Sequence, residues 1–117
     1  IDLSQLAFDP GIGFGKSLNH NLEILRELSK LRPFGRPSVL GVSRKSFLSK
    51  LTGSEDLDDR LWPTAALSAY ARHHGVSVLR VHDVKQNAEA LGMTEAILSF
   101  AKKRDVTPSM QYTDARA

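Results

Sequence analysis

The chain has 117 residues, 41% hydrophobic and 25% charged, with 16 Lys and Arg against 13 Asp and Glu and a formal net charge of +3. That size fits one small domain or a piece of a larger one, and the composition excludes a disordered chain. The absence of Cys excludes a disulfide scaffold and a thiolate metal site, and no apolar run approaches the ~20 residues of a membrane helix. Residue 1 is Ile and no basic-then-apolar leader follows it, so the chain is expected to begin inside a longer protein. The basic balance suits anionic small molecules. Nucleic acid is not expected, because the cations are scattered, without a Lys/Arg run or interleaved aromatics.

Three times along the chain a short apolar run gives way to a polar turn and then to a helical stretch. The first run, Leu6-Ala7-Phe8, stops at Asp9-Pro10-Gly11. Leu18, Leu22, Leu25 and Leu28 then recur at spacings of four, three and three, which predicts an amphipathic helix ending before Pro33. The second run, Val39-Leu40-Gly41-Val42, leads into Ser43-Arg44-Lys45-Ser46 and a short helix over 47–52. An acidic loop from Gly53 to Asp59 precedes a helix predicted over 61–73, with Gly75 as its stop. The third run, Val76 to Val81, is rich in β-branched residues. Asp83 and Gln86 form a capping box for a last helix running to about Lys102, and Asp105 to Ala117 reads as a tail. Strands alternating with helices imply right-handed βαβ units and a parallel sheet. Three such strands make a poor domain alone, so a larger α/β protein is expected, either a TIM barrel or a doubly wound sheet.

In parallel α/β folds functional side chains gather at the C-terminal ends of the strands. Each run here ends in such a set: Asp9, then Ser43 to Ser46, then Arg80 and His82. Asp9 either bonds its own turn or receives two N–H groups from a flat heterocycle. The segment Gly11-Ile12-Gly13-Phe14-Gly15-Lys16-Ser17 fails as a phosphate loop, being one residue short, and as a dinucleotide fingerprint. It leaves a pliant backbone with Phe14 and Lys16 exposed. Ser43 reads as a helix N-cap, yet Arg44 and Lys45 then oppose the helix dipole, and an anionic or electron-rich ligand would supply their reason. Ser46 and the free N–H groups of that helix suit a carboxylate. Arg80 and His82, two apart, point to one side of an extended chain. Together they suit phosphate oxygens, with a structural carboxylate as the other partner open to Arg80. His20, His73 and His74 are expected at the surface, and no metal-ligand spacing occurs.

In this order and spacing, Asp9-Pro10-Gly11-x-Gly13-Phe14-x-Lys16, Ser43-Arg44-Lys45-Ser46 and Arg80-Val81-His82-Asp83-Val84 resemble the C-terminal signatures of the dihydropteroate synthases, over about residues 2–101. The resemblance implies the C-terminal βαβαβα portion of a TIM (β/α)8 barrel, three parallel strands each followed by a helix, over 1–104, with 105–117 as the tail. It implies a transferase of folate biosynthesis that joins 6-hydroxymethyl-7,8-dihydropterin pyrophosphate to p-aminobenzoate, releasing pyrophosphate and 7,8-dihydropteroate. By that resemblance Asp9 and Lys45 bind the pterin, and Arg80 and His82 hold the departing pyrophosphate. Phe14, Lys16 and Ser46 border the p-aminobenzoate pocket where sulfonamides compete, and Lys45, Arg80 and His82 are the catalytic set. Arg44 matches with a more structural role. Mg2+ is the implied cofactor, with its ligands in the upstream part of the barrel and none in this chain. A cytoplasmic homodimer is implied, with small-molecule substrates and neither nucleic acid nor membrane as partners. An isolated chain of this length is expected to be inactive. Two other readings stand beside it: a pterin-binding methyltransferase domain on a similar barrel, and a non-catalytic paralogue serving as a binding module.

Overall fold

The computed structural model describes residues 1–43, 45–54, 56 and 60–103. Arg44, most of the acidic loop and the expected tail lie outside the described residues. Val39–Leu40 forms β1 and Val78–Leu79 forms β2, paired in parallel with Val39 opposite Val78 and Leu40 opposite Leu79. Val78 N–H donates to the Ser38 carbonyl at 3.1 Å and Arg80 N–H to the Leu40 carbonyl at 2.9 Å, so the ladder continues to the ends of both strands.

The first apolar run does not form the third strand that alternation predicted. Phe8 makes a single parallel bridge to Ser38, donating to Pro37 O at 2.8 Å and accepting from Val39 N–H at 2.7 Å. The next rung would need an N–H from residue 37 aimed at Leu6 O, and Pro37 has none. The Arg36 side chain fills that place: Nε donates to Leu6 O at 3.0 Å and Nη2 to Ser4 O at 2.9 Å. Pairing therefore stops after one bridge, and Leu3 to Gln5 closes as a 3-10 turn capped by Asp2.

Among the described residues four α-helices accompany the pair. Helix α1, Leu18–Arg26, starts at Ser17, whose side chain accepts from His20 N–H at 3.1 Å. Its inward stripe is Leu18, Asn21, Leu25 and then Leu28 in the 3-10 turn that follows, while Leu22 of the expected stripe is exposed. Helix α2 is Ser46–Thr52 and α3 is Leu61–His73, the latter stopped at Gly75. Helix α4, Val84–Lys103, opens after Asp83, whose carbonyl accepts both the backbone N–H and the side-chain amide of Asn87. None of these helices, searched over the described residues, is long and apolar enough to cross a membrane.

The core lies between the strand pair and the inner faces of the first three helices. Ile12, Leu25, Leu28, Leu40, Val42, Phe47, Leu48, Ala71 and Val76 form it. Fully burying side chains such as Leu40 and Leu48 contributes roughly 1.5–3 kcal/mol each. Small residues let α3 and α4 approach closely, with Ala65 and Ala88 buried at that seam. Between them Ser68 Oγ donates to Asn87 Oδ1 at 2.6 Å, both side chains being fully buried. The Arg72–Glu95 ion pair joins the same two helices nearer the surface.

Replacing Asn87 by Ala strands the Ser68 hydroxyl without its acceptor and without water. In the complete protein carrying this chain, the Asn87→Ala variant is expected to lose about 1–3 kcal/mol of unfolding free energy in urea titration. The Ser68→Ala, Asn87→Ala double variant is expected to lose less than the two single losses added together.

Candidate functional site

Continuing the β1–β2 register beyond the strands sets Arg80 beside Gly41 and His82 beside Ser43. The side chains follow. A Cβ on Gly41 would lie 2.6 Å from Arg80 Nη2 and 3.0 Å from Nε, so the guanidinium rests on bare backbone there. The hydroxyl of buried Ser43 lies 2.9 Å from both the backbone N and the ring Nδ1 of His82. Arg80 is exposed, and among the described residues it forms no ion pair, so the structural carboxylate open to it does not appear there.

The loop after Phe8 forms the other side of the site. Asp9 Oδ1 accepts from Gly11 N–H at 2.8 Å, so one carboxylate oxygen does close its own turn, while the residue stays exposed. Lys16 Nζ donates to the carbonyls of Gly11 (2.9 Å) and Phe14 (3.2 Å). Lys45 comes from the far side: its stem crosses Gly13, where a Cβ would meet Cδ at 2.9 Å, and its ammonium donates to Ile12 O at 2.5 Å. The same ammonium lies 4.4 Å from the centre of the Phe14 ring, a cation–π geometry. Two lysines thus clasp one glycine-rich loop and leave Phe14 largely exposed.

Burial pushes the Lys45 pKa below the ordinary lysine value of 10.5, Arg80 and Lys16 push it the same way, and Asp9 opposes them. The expected residues Asp9, Phe14, Lys16, Lys45 and Arg80 are therefore electrostatic or contact neighbours. His82 stands on the Ser43 side of the same edge. Ser46 opens α2 and is exposed, but among the described residues no hydrogen bond joins it to the cluster. Lys45 is the N-cap of α2 with no side-chain cap bond, so the cap expected of Ser43 does not form. Of the histidines expected at the surface, His20 and His73 are exposed, whereas His74 is half-buried with its ring 4.3 Å from that of Tyr70.

Two residues that sequence reasoning passed over, Asn21 and Gly41, shape this site, and Ser43, expected as a cap, takes another role in it. Asn21, 1% exposed, accepts from Gly13 N–H at 2.9 Å and so ties α1 to the loop. Its signal was a polar residue on the inner face of an apolar stripe. Gly41 was visible as a glycine inside a β-branched run, a usual mark of close approach. Ser43 carried no sequence signal for its partner, because His82 is 39 residues away.

The fold is a parallel α/β arrangement that sets cations and a bare glycine at the C-terminal ends of its strands. The chain belongs to the family of pterin binding enzymes, whose profile matches residues 1–82. It is similar to the dihydropteroate synthase of Escherichia coli K12, 40% identical over 104 residues, which cover 89% of this chain and 36% of that protein. It is also similar to the dihydropteroate synthase of Yersinia pestis solved with a sulfonamide drug, with TM-score 0.79, 40% identity, and 82% of this chain and 34% of that one covered. For the Thermus thermophilus dihydropteroate synthase solved in complex with 6HMPPP the TM-score is 0.76 and the identity 45%, covering 80% and 38% of the two chains. The chain spans about a third of the length of the curated relatives it matches.

In the complete protein, Gly41→Ala is expected to fold, since the displaced Arg80 can swing into solvent. Inorganic pyrophosphate, used only as a probe anion for this edge, should bind about tenfold more weakly to that variant than to the unaltered protein by calorimetry. The second expectation concerns Lys45. Its folded-state pKa lies below its unfolded value, so between the two the unfolded chain holds more protons and stability rises with pH. Denaturation from neutral pH to just below 10.5 should therefore show the unaltered protein gaining stability relative to Lys45→Met. A flat difference would mean that Lys45 does not carry its shift.

Proposed function

We propose that the chain is the C-terminal βαβαβα portion of a TIM-barrel dihydropteroate synthase. Residues 1–104 are its last three βα units, the strand of the first being represented by the single Phe8–Ser38 bridge, and 105–117 its tail. The reaction joins p-aminobenzoate to 6-hydroxymethyl-7,8-dihydropterin pyrophosphate in folate biosynthesis. The observation that carries this reading is the convergence of Lys16, Lys45 and Arg80 on one glycine-backed edge, with Asp9 alone among the described residues opposing their charge on Lys45. Cations that weaken one another's charge are costly to assemble unless an anion joins them. A leaving pyrophosphate is such an anion.

In this reading Asp9, with one carboxylate oxygen outside its turn bond, takes the amino-pyrimidine edge of the pterin. Lys45, held over Gly13 by Ile12 O, donates to the ring oxygen and nitrogen. Arg80 and His82 face the pyrophosphate. As the carbon–oxygen bond to the pterin methylene breaks, negative charge grows on the leaving oxygens, and donors already in position stabilise it without reorganising. The aniline nitrogen of p-aminobenzoate attacks the methylene and needs no activating triad. Phe14, Lys16 and Ser46 border its pocket, the place where a sulfonamide would compete. Lys45, Arg80 and His82 are the catalytic groups because they touch the reacting substrates.

Mg2+ is the cofactor this reading requires, and the described residues do not fit it. They contain no group of three or more His, Cys, Asp or Glu able to hold a metal, and the cations of the site repel one. The ion's protein ligands are therefore assigned to the upstream part of the barrel. The same reading makes the complete protein a cytoplasmic homodimer and the isolated chain inactive, since it carries one side of the substrate site. The methyltransferase alternative lacks a role for Arg80 beside His82, having no pyrophosphate to hold.

The test is pyrophosphate release by the complete reading frame from the dihydropterin pyrophosphate, with and without p-aminobenzoate and Mg2+. Release is expected to need both additions and to fall about a hundredfold or more in Lys45→Ala and in Arg80→Ala. Pterin binding without release would overturn the synthase reading and favour the methyltransferase-like or non-catalytic ones.

A further inference from the structure

We propose that Ser43 is a positioning residue that fixes the tautomer and the orientation of His82, so that the imidazole presents Nε2–H to the departing phosphate oxygens. The inference rests on the synthase reading for the identity of the phosphate, but not for the geometry.

The hydroxyl of Ser43 is buried, and it meets His82 twice, at the backbone N (2.9 Å) and at Nδ1 (2.9 Å). A backbone N–H can only donate, so it takes one lone pair of Oγ. Among the described residues the other partner of that oxygen is Nδ1. Were Nδ1 protonated, it would donate to the second lone pair of Oγ, and the buried hydroxyl proton would be left without an acceptor among the described residues, a costly arrangement. The hydroxyl therefore gives its one proton to an unprotonated Nδ1, the neutral imidazole holds its own proton on Nε2, on the opposite edge of the ring, and His82 is exposed. Two bonds from one buried oxygen also fix the ring as well as the backbone, because the oxygen sits in the frame of β1 while the ring belongs to the segment after β2. A histidine held only by its own chain would turn about its side-chain bonds and exchange its proton between the two nitrogens. Ser43 stops both. It touches no substrate in this arrangement, so its effect on the reaction passes through His82.

The test uses the complete protein labelled with 15N at histidine, at a pH where the ring is neutral. The unaltered protein should show His82 with its proton on Nε2 and a hydrogen-bonded Nδ1. Ser43→Ala should show the averaged shifts of two exchanging tautomers, and Ser43→Thr, which keeps the hydroxyl, should restore the single form. In steady-state assays Ser43→Ala should lower kcat on the order of tenfold, with KM for p-aminobenzoate unchanged. That loss should vanish in a His82→Gln background, which a merely structural serine would not allow. A proton on Nδ1 in the unaltered protein, shifts unchanged in Ser43→Ala, or full additivity with His82→Gln would each overturn the proposal. Should the protein release no pyrophosphate at all, the synthase reading fails while the 15N shifts still decide the tautomer. An active enzyme with unchanged shifts sinks this inference alone.

Discussion

The parallel register between Val39–Leu40 and Val78–Leu79 is the constraint on which the site depends. The pairing is short, yet its hydrogen bonds run on to Arg80 N–H, and the rungs beyond bring residue 80 beside 41 and residue 82 beside 43. A one-residue slip would turn Arg80 and His82 to the other face. It would also place a guanidinium against Leu40 or Val42, both fully buried, instead of against a glycine. The register is held from below by the same alternation: Leu40 and Val42 are buried in the core and Leu79, opposite Leu40, packs against it, while Arg80 lies beside Gly41 on the other face.

A second consequence follows from charge. The described interior satisfies its polar groups locally. Asn87 meets Ser68 and Asp83, Thr64 meets the Arg60 carbonyl, and no described buried side-chain atom lacks a partner. The site departs from that economy. Lys45 is partly desolvated, faces Arg80 and Lys16, and sits below its ordinary pKa as a result. Its compensations are a carbonyl and an aromatic face, both weaker than a carboxylate. Proteins tolerate such local strain in charge where a ligand relieves it, and a bound anion would lift the Lys45 pKa back toward its ordinary value.

Much of this was legible in the sequence, and what was not has physical causes. Strand–helix alternation, the helix over 61–73 and the gathering of polar sets at strand ends follow from periodicity and from the general placement of sites in parallel sheets. The first strand misled because Leu6-Ala7-Phe8 has the right residues, whereas the limit on its pairing is the missing N–H of Pro37 on its neighbour. Leu22 misled because the inner stripe of α1 is completed by Asn21, a polar residue whose burial is explained only by a loop eight positions earlier. The caps show the same division. Ser17 caps α1 as a local signal should, but Ser43 spends its hydroxyl on a histidine that only the register brings near.

That contrast bears on how a chain spanning about a third of its relatives' length can carry so specific a set of side chains. Gly41, Ser43, Arg80 and His82 are arranged by two neighbouring strands alone, so this half of the site is determined within the chain. What the chain does not contain is cover for its other surfaces. Val78 is half exposed although it lies in a parallel strand, a place where both faces are ordinarily buried. Ile1, Leu3 and Leu6 at one end and Met93, Ile97 and Phe100 along α4 are exposed as well. Electrostatics point the same way: the cations converge on one edge, and among the described residues Asp9 alone answers them on Lys45. On the proposed reading, a site whose geometry is locally encoded while its counter-charges and apolar cover come from neighbouring βα units is what division of one barrel's work produces. Strand register sets where each donor stands, and in that proposal the rest of the barrel decides when those donors are dry enough to act.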